Sequence, residues 1–224
     1  MASTAYLVAD DEANAAQATP IAAVTREAYD DWLKGQEAPQ RRWIAASGFR
    51  AQPGAFCLLP GDKGELAQVL LVIDGEEVIW SFAGLPTALP PGLYRLDQGL
   101  RPGLASRAAL GWALGSYSFT RYKENPREYP RLVWPKSADR DQVSHTAEAI
   151  GLVRDLVNTP AADMGPAQLA EAARNLAKQH RGKCTVLVGD TLLKRNYPAV
   201  HAVGRAAAEE PRLIDLRWGT RGPK

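Results

Sequence analysis

Cysteine is nearly absent from this chain: Cys57 and Cys184 are its only two in 224 residues. They lie far apart and fit neither a disulfide framework nor a zinc-knuckle spacing. Both read as inert buried thiols in a reducing cytoplasm. Long hydrophobic runs are also missing. No window approaches the about 20 consecutive apolar residues of a membrane span, so no membrane partner is expected. The first eight residues have no basic stretch ahead of their short apolar run, and Asp10, Asp11 and Glu12 follow at once, which is not the pattern of a signal peptide. Charge of one sign is lacking too. With 27 Lys and Arg against 25 Asp and Glu the net charge is +2, which favours no nucleic acid, membrane or acidic substrate.

Catalytic signatures are as scarce. There is no Gly-x-Ser-x-Gly elbow, and neither cysteine has a histidine partner that the sequence identifies. Val203-Gly-Arg-Ala206 lacks the pattern of a dinucleotide or phosphate loop. The carboxylates gather as Asp10-Asp11-Glu12, Glu76-Glu77, Asp139 with Asp141, and Glu209-Glu210. Neighbours in sequence point in different directions, so these read as solvated turns and caps. Of the three histidines, His145 and His180 fall on or near helix faces. His201 precedes Ala202-Val-Gly-Arg205 on an expected strand and loop and reads as structural. Arg205, Arg212, Arg217, Arg221 and Lys224 enrich the C-terminal stretch in positive charge. A solvated strand face and tail accounts for them, and the competing reading, a nucleic-acid patch, lacks interleaved aromatics beyond Trp218.

What the chain does have is apolar material, at 46% of residues, enough for the core of one large or two small domains. From Ala5 to about Trp134 short strands alternate with Gly and Pro, with two or three helices among them. Val69-Leu-Leu-Val-Ile73 has the form of a strand covered on both faces, at the centre of the first sheet. Leu104, Ala108 and Trp112, flanked by Ala105, Ala109 and Leu110, make the stripe of a helix that docks on a sheet. Pro126, Pro130 and Pro135 forbid a helix, and a boundary is expected near residue 136. Val143, Ala147, Ile150, Val153 and Val157 then recur at helical spacing up to a stop at Asn158-Thr-Pro160. Pro166 opens another helix, with Leu169, Ala173, Leu176, Ala177 and His180 on one face and Gly182 as its cap. Strands are expected at Lys183–Val188 and Arg212–Trp218, with a short helix from Asp190 through Asn196. That order begins an α/β layer structure without completing it.

Three runs occur in a telling order: Leu156-Val-Asn-Thr-Pro-Ala-Ala-Asp-Met-Gly-Pro166, His201-Ala-Val-Gly-Arg-Ala206 and Pro211-Arg-Leu-Ile-Asp-Leu-Arg-Trp218. They resemble the leucyl aminopeptidase family over about residues 130–224. Upstream, Gly48-Phe-Arg-Ala-Gln-Pro-Gly54, Leu93-Tyr-Arg95 and Leu110-Gly-Trp-Ala-Leu-Gly-Ser-Tyr-Ser-Phe-Thr-Arg-Tyr122 look like the N-terminal domain of bacterial members. The resemblance implies an α/β protein, with a macro-like N-terminal domain over residues 1–135. The start of the peptidase domain would then lie at 136–224.

It also implies a parent that removes N-terminal amino acids from peptides in the cytoplasm. Such a parent is a homo-hexamer and carries two divalent metals, Zn or Mn, per site. The family's ligand segments, a Lys-Gly strand end and an Asn-Thr-Asp-Ala-Glu-Gly-Arg run, do not occur in these 224 residues. No residue is therefore assigned a catalytic, metal-binding or substrate-binding role. The chain alone is expected to bind no metal and to be inactive, with the downstream catalytic segment as its first partner and nucleic acid disfavoured. A basic residue at 224, after Gly219-Thr-Arg-Gly-Pro223, also suits trypsin-like cleavage of a longer protein. The alternative is a freestanding macro-like module for a nucleotide-like ligand or nucleic acid, which would have no use for a half-built second domain.

Overall fold

A computed structural model describes residues 3–75, 78–97 and 100–219. Glu76-Glu77, Arg221 and Lys224 lie outside the described residues, as do positions 220–223 of the run before Lys224. The chain forms two compact units, Met1–Val153 and Arg154–Lys224.

In the first unit a 3-10 turn, Ser3–Tyr6, leads into β1 (Leu7–Val8), α1 (Glu12–Gln17), β2 (Thr19–Thr25), α2 (Tyr29–Lys34), α3 (Ala38–Ala46) and β3 (Phe56–Pro60). There follow β4 (Leu66–Ile73), α4 (Val78–Ala83), α5 (Leu85–Ala88), β5 (Leu93–Leu96), α6 (Pro102–Gly115), β6 (Arg131–Val133) and α7 (Arg140–Asn158), whose residues from Arg154 on belong to the second unit. The strands form one sheet in the order β1-β6-β5-β2-β4-β3. Every pairing is parallel except β3 with β4.

β4 is covered on both faces, as its continuous apolar run requires. Val69, Leu71 and Ile73 join one core cluster and Leu70 the other. Its place in the sheet differs from expectation, because it lies next to the edge and not at the centre. The turn at Gly61–Gly64, closed by Gly61 N–H to Glu65 O at 2.8 Å, folds antiparallel β3 against its outer side. The register shift at Leu59/Pro60 puts the proline at an edge irregularity, where its missing N–H costs least. The helices before Trp134 also outnumber the two or three expected, because pieces as short as α2 and α5 are too brief to carry a periodicity.

Helix α6 is the pillar of the larger cluster. Trp112 is wholly buried, its Nε1–H donating to Pro130 O at 3.2 Å and its ring 6.0 Å from that of Tyr94. Gly111 and Gly115, four residues apart, let α4 approach. A Cβ at Gly111 would run into the carbonyl oxygen of Ile79, and one at Gly115 into that of Ala83. On the other face of the sheet Tyr29, Ile44, Cys57, Leu59 and Leu70 pack together, with Cys57 buried as expected. Helix α7 occupies the expected span, but its apolar stripe is covered only at the start. Val143 and Ala147 are buried, whereas Val153 and Val157 are 57% and 77% exposed.

The second unit continues with α8 (Pro166–Gln179), β7 (Lys183–Val188), α9 (Thr191–Lys194), α10 (Pro198–Gly204) and β8 (Arg212–Arg217). β7 and β8 pair antiparallel, from Lys183 opposite Arg217 to Val188 opposite Arg212. Pro166 is the first residue of α8, but the inward positions are Ala170 and Ala177, and Leu169 is 45% exposed. The helix ends on Arg181, not Gly182, in the left-handed conformation at φ 56°. Gly182 N–H then reaches back to Ala177 O at 2.8 Å, closing a Schellman motif. Asn196, at φ 62°, ends α9 the same way, with Tyr197 N–H on Leu192 O.

His201 stands on α10, not on a strand. Pro198 at the first helical position outweighs the short apolar run that follows it. Cys184 is only half-buried, in contrast to the buried thiol expected.

Candidate functional site

Because β1, β5 and β6 are parallel, their C-terminal ends share one edge of the sheet. In open α/β sheets that edge is where ligands gather, since loops diverge there and leave a crevice. A cavity of about 550 Å³ opens at this edge of the first unit, within the range of small-molecule sites. Its apolar wall is Leu96, Leu100 and Val133, and α1 contributes Ala15 and Ala16.

Four charged side chains line it. Arg95 Nη1 and Asp97 Oδ1 lie 3.6 Å apart in a loose ion pair, with the side chains 34% and 35% exposed. Gln68 Nε2 donates to the second Asp97 oxygen at 3.1 Å, which holds that carboxylate at the mouth. Asp10 and Lys136 have no hydrogen-bond or ion-pair partner among the described residues. The rim is braced by Ser137 Oγ–H donating to Leu100 O at 2.7 Å and by the Arg140 guanidinium over the Trp134 ring at 5.6 Å.

The second unit offers less. His201 Nε2 lies 3.3 Å from Asp190 Oδ1, joining α10 to the start of α9. Asp190 occupies the N-cap position of α9 without its side chain capping the helix. Arg217 forms a 2.7 Å ion pair with Asp215 across one strand face. The hydrogen bond from Arg217 holds the Asp215 carboxyl below its ordinary value, and the same contact raises Arg217. His145 and His180 are both exposed. His180 touches Trp218 edge-on, and Trp218 Nε1–H donates to the His180 carbonyl at 2.9 Å. Glu209 caps the start of α8 by accepting from Ala167 N–H, the capping role read for its cluster.

Among the described residues no three His, Cys, Asp or Glu side chains converge as a metal site would need. No catalytic step is therefore assigned through a metal.

A sequence model of the M17 aminopeptidase N-terminal domain matches residues 19–135, and one of the cytosol aminopeptidase catalytic domain matches residues 151–224. The chain belongs to the cytosol aminopeptidase family. A probable cytosol aminopeptidase of Wolinella succinogenes is 28% identical over 93% of this chain and 46% of its own length. One from Geobacter sp. is 36% identical over 55% of this chain and 28% of its own length. The crystal structure of cytosol aminopeptidase from Coxiella burnetii superposes with a TM-score of 0.84 at 36% identity, covering 96% of this chain and 46% of that one. The bottromycin maturation enzyme BotP in complex with Mn gives a TM-score of 0.66 at 23% identity over 88% of this chain and 44% of that one, which shows a shared fold. This chain spans about half the length of the Wolinella relative. The α/β layers, with a mainly parallel sheet, are those of the N-terminal domain and the opening of the catalytic domain of M17 aminopeptidases.

The cavity in the first unit was not legible as a site. Arg95, Asp97 and Lys136 are scattered over 42 positions and share no motif, and only the parallel pairing of β5 with β6 brings them to one edge. The available signal was a charged residue just past a strand end, at Asp10 after β1 and Asp97 after β5.

Proposed function

We propose that residues 1–135 form the macro-like N-terminal domain of an aminopeptidase, and that 136–224 begin its catalytic domain. The longer protein would remove N-terminal amino acids from peptides in the cytoplasm, as a homo-hexamer using two divalent metals. The observation that carries this reading is that both family matches occur in order and 96% of the chain superposes on just 46% of an aminopeptidase structure.

The second unit supports the same reading physically. Val157, Leu169, Leu193, Tyr197, Val203 and Trp218 are six of the ten large apolar residues exposed among those described, yet this unit is the smaller of the two. A two-stranded sheet is marginal alone. β7 and β8 each present one edge without a strand partner among the described residues. The downstream catalytic segment would pair with such an edge and cover these side chains, and it would bring the metal ligands. Residues 1–224 alone would therefore bind no metal pair and lack peptidase activity. Hydrolysis of L-leucine p-nitroanilide by purified residues 1–224, with added Mn²⁺ or Zn²⁺, tests this. No turnover is expected, and turnover that rises with purity would overturn the reading.

A further inference from the structure

The cavity at the C-terminal edge of the first sheet is lined by two acidic and two basic side chains, Asp10 and Asp97 against Arg95 and Lys136. That balance disfavours a polyanion, which would meet two carboxylates, and a cation, which would meet a guanidinium and an ammonium. Asp10 and Lys136 are the uncommitted members, one of each sign. Beside them lies the apolar wall of Leu96, Leu100 and Val133. A ligand that satisfies all three features carries a cation, an anion and a compact hydrocarbon group.

We infer that this cavity binds a free amino acid with an apolar side chain. The α-ammonium faces Asp10, the carboxylate faces Lys136, and the side chain packs on Leu96 and Val133. The identification of that amino acid as the product of the longer enzyme rests on the proposed aminopeptidase function, and would make the first unit a product sensor. The binding itself does not rest on it.

Titration calorimetry of residues 1–224 with L-leucine, supported by amide chemical-shift mapping, tests the site without any turnover. Saturable binding on the order of 1 mM or tighter is expected, with the shifts centred on Asp97, Leu100 and Ser137. 4-Methylpentanoate, which lacks the amine, and 3-methylbutylamine, which lacks the carboxylate, should each bind about tenfold more weakly or worse, because each leaves one charged group unpaired. Asp10→Asn and Lys136→Gln should each cost a similar factor while Glu171→Gln, on the second unit, leaves binding unchanged. Both cavity positions are at least partly exposed, and unaltered thermal unfolding would show that the variants fold.

The inference is overturned by no saturation up to about 20 mM, by shifts lying elsewhere, by indifference to the cavity substitutions, or by phosphate or AMP binding there in place of leucine. Leucine binding with no aminopeptidase in the longer protein would refute the proposed function and leave this site standing. The converse result would do the opposite.

Discussion

The carboxylate of Glu209 accepts a hydrogen bond from the backbone N–H of Ala167, 3.1 Å away and 42 residues earlier in the chain. Ala167 is the second residue of α8, and the N-cap residue, Gly165, has no side chain to offer. Gln168 Oε1 accepts from Gly165 N–H at 3.1 Å, one half of a capping box, and Glu209, from a distant loop, takes the second-position amide that Gly165 cannot. The negative charge also meets the positive end of the helix dipole. Glu209→Ala should therefore destabilise the second unit by about 1 kcal/mol, with Glu209→Gln losing less because it keeps an acceptor. Hydrogen exchange at the first amides of α8 is the readout, and unchanged protection in Glu209→Ala would contradict the assignment.

Arg181 carries the left-handed turn that glycine would carry without strain. Arg181→Gly should stabilise the chain by about 0.5–1 kcal/mol, because relief of the steric cost of a Cβ at φ 56° exceeds the added freedom of the unfolded chain. Urea denaturation measures it. A lower midpoint would mean that the arginine side chain makes a compensating contact.

At the contact of α4 with α6, Gly111→Ala and Gly115→Ala each set a methyl group against a backbone carbonyl that cannot rotate away. Overpacking of this kind costs about 1–3 kcal/mol. Each variant should lower the thermal midpoint of the first unit, whereas Gly103→Ala, at the start of the same helix with open space around it, should not. A raised midpoint at all three positions would mean that helix propensity, and not the close approach, governs them.

Burial raises the Tyr94 hydroxyl above the ordinary 10.0, and its proton is held by donation to Pro90 O at 3.0 Å. The raised value means that the unfolded chain ionises first. Its contribution is thus complete below pH 10 and declines as pH climbs through the higher folded value. Tyr94→Phe should be less stable than the parent at pH 7 and should lose less stability between pH 10 and 11.5, as followed by urea midpoints. Parallel pH profiles would mean that Tyr94 ionises equally in both states.

The longest elements were the most legible, because periodicity needs length to speak. Val69–Ile73, the Trp112 stripe of α6 and the starts of α7 and α8 follow from spacing and from Pro166. Short apolar runs were ambiguous: Ala199-Val-His-Ala-Val203 alternates enough to suggest a strand, and only Pro198 points to the helix that forms. Relations across the chain could not be read at all. The antiparallel β3 beyond β4, the Glu209 cap and the four charged groups of the cavity depend on which strand lies beside which, and no local pattern encodes that.

Under the proposed function, this chain is one part of an aminopeptidase whose chemistry needs the other. Residues 1–224 should be mixed with the separately purified segment that follows them in the longer protein, with Mn²⁺, while L-leucine p-nitroanilide hydrolysis is followed. The account predicts no hydrolysis by residues 1–224 alone, turnover on mixing, and loss of that turnover in Leu216→Asp, which places a charge on β8 where the missing segment would pack. Hydrolysis by residues 1–224 without the second segment would contradict it.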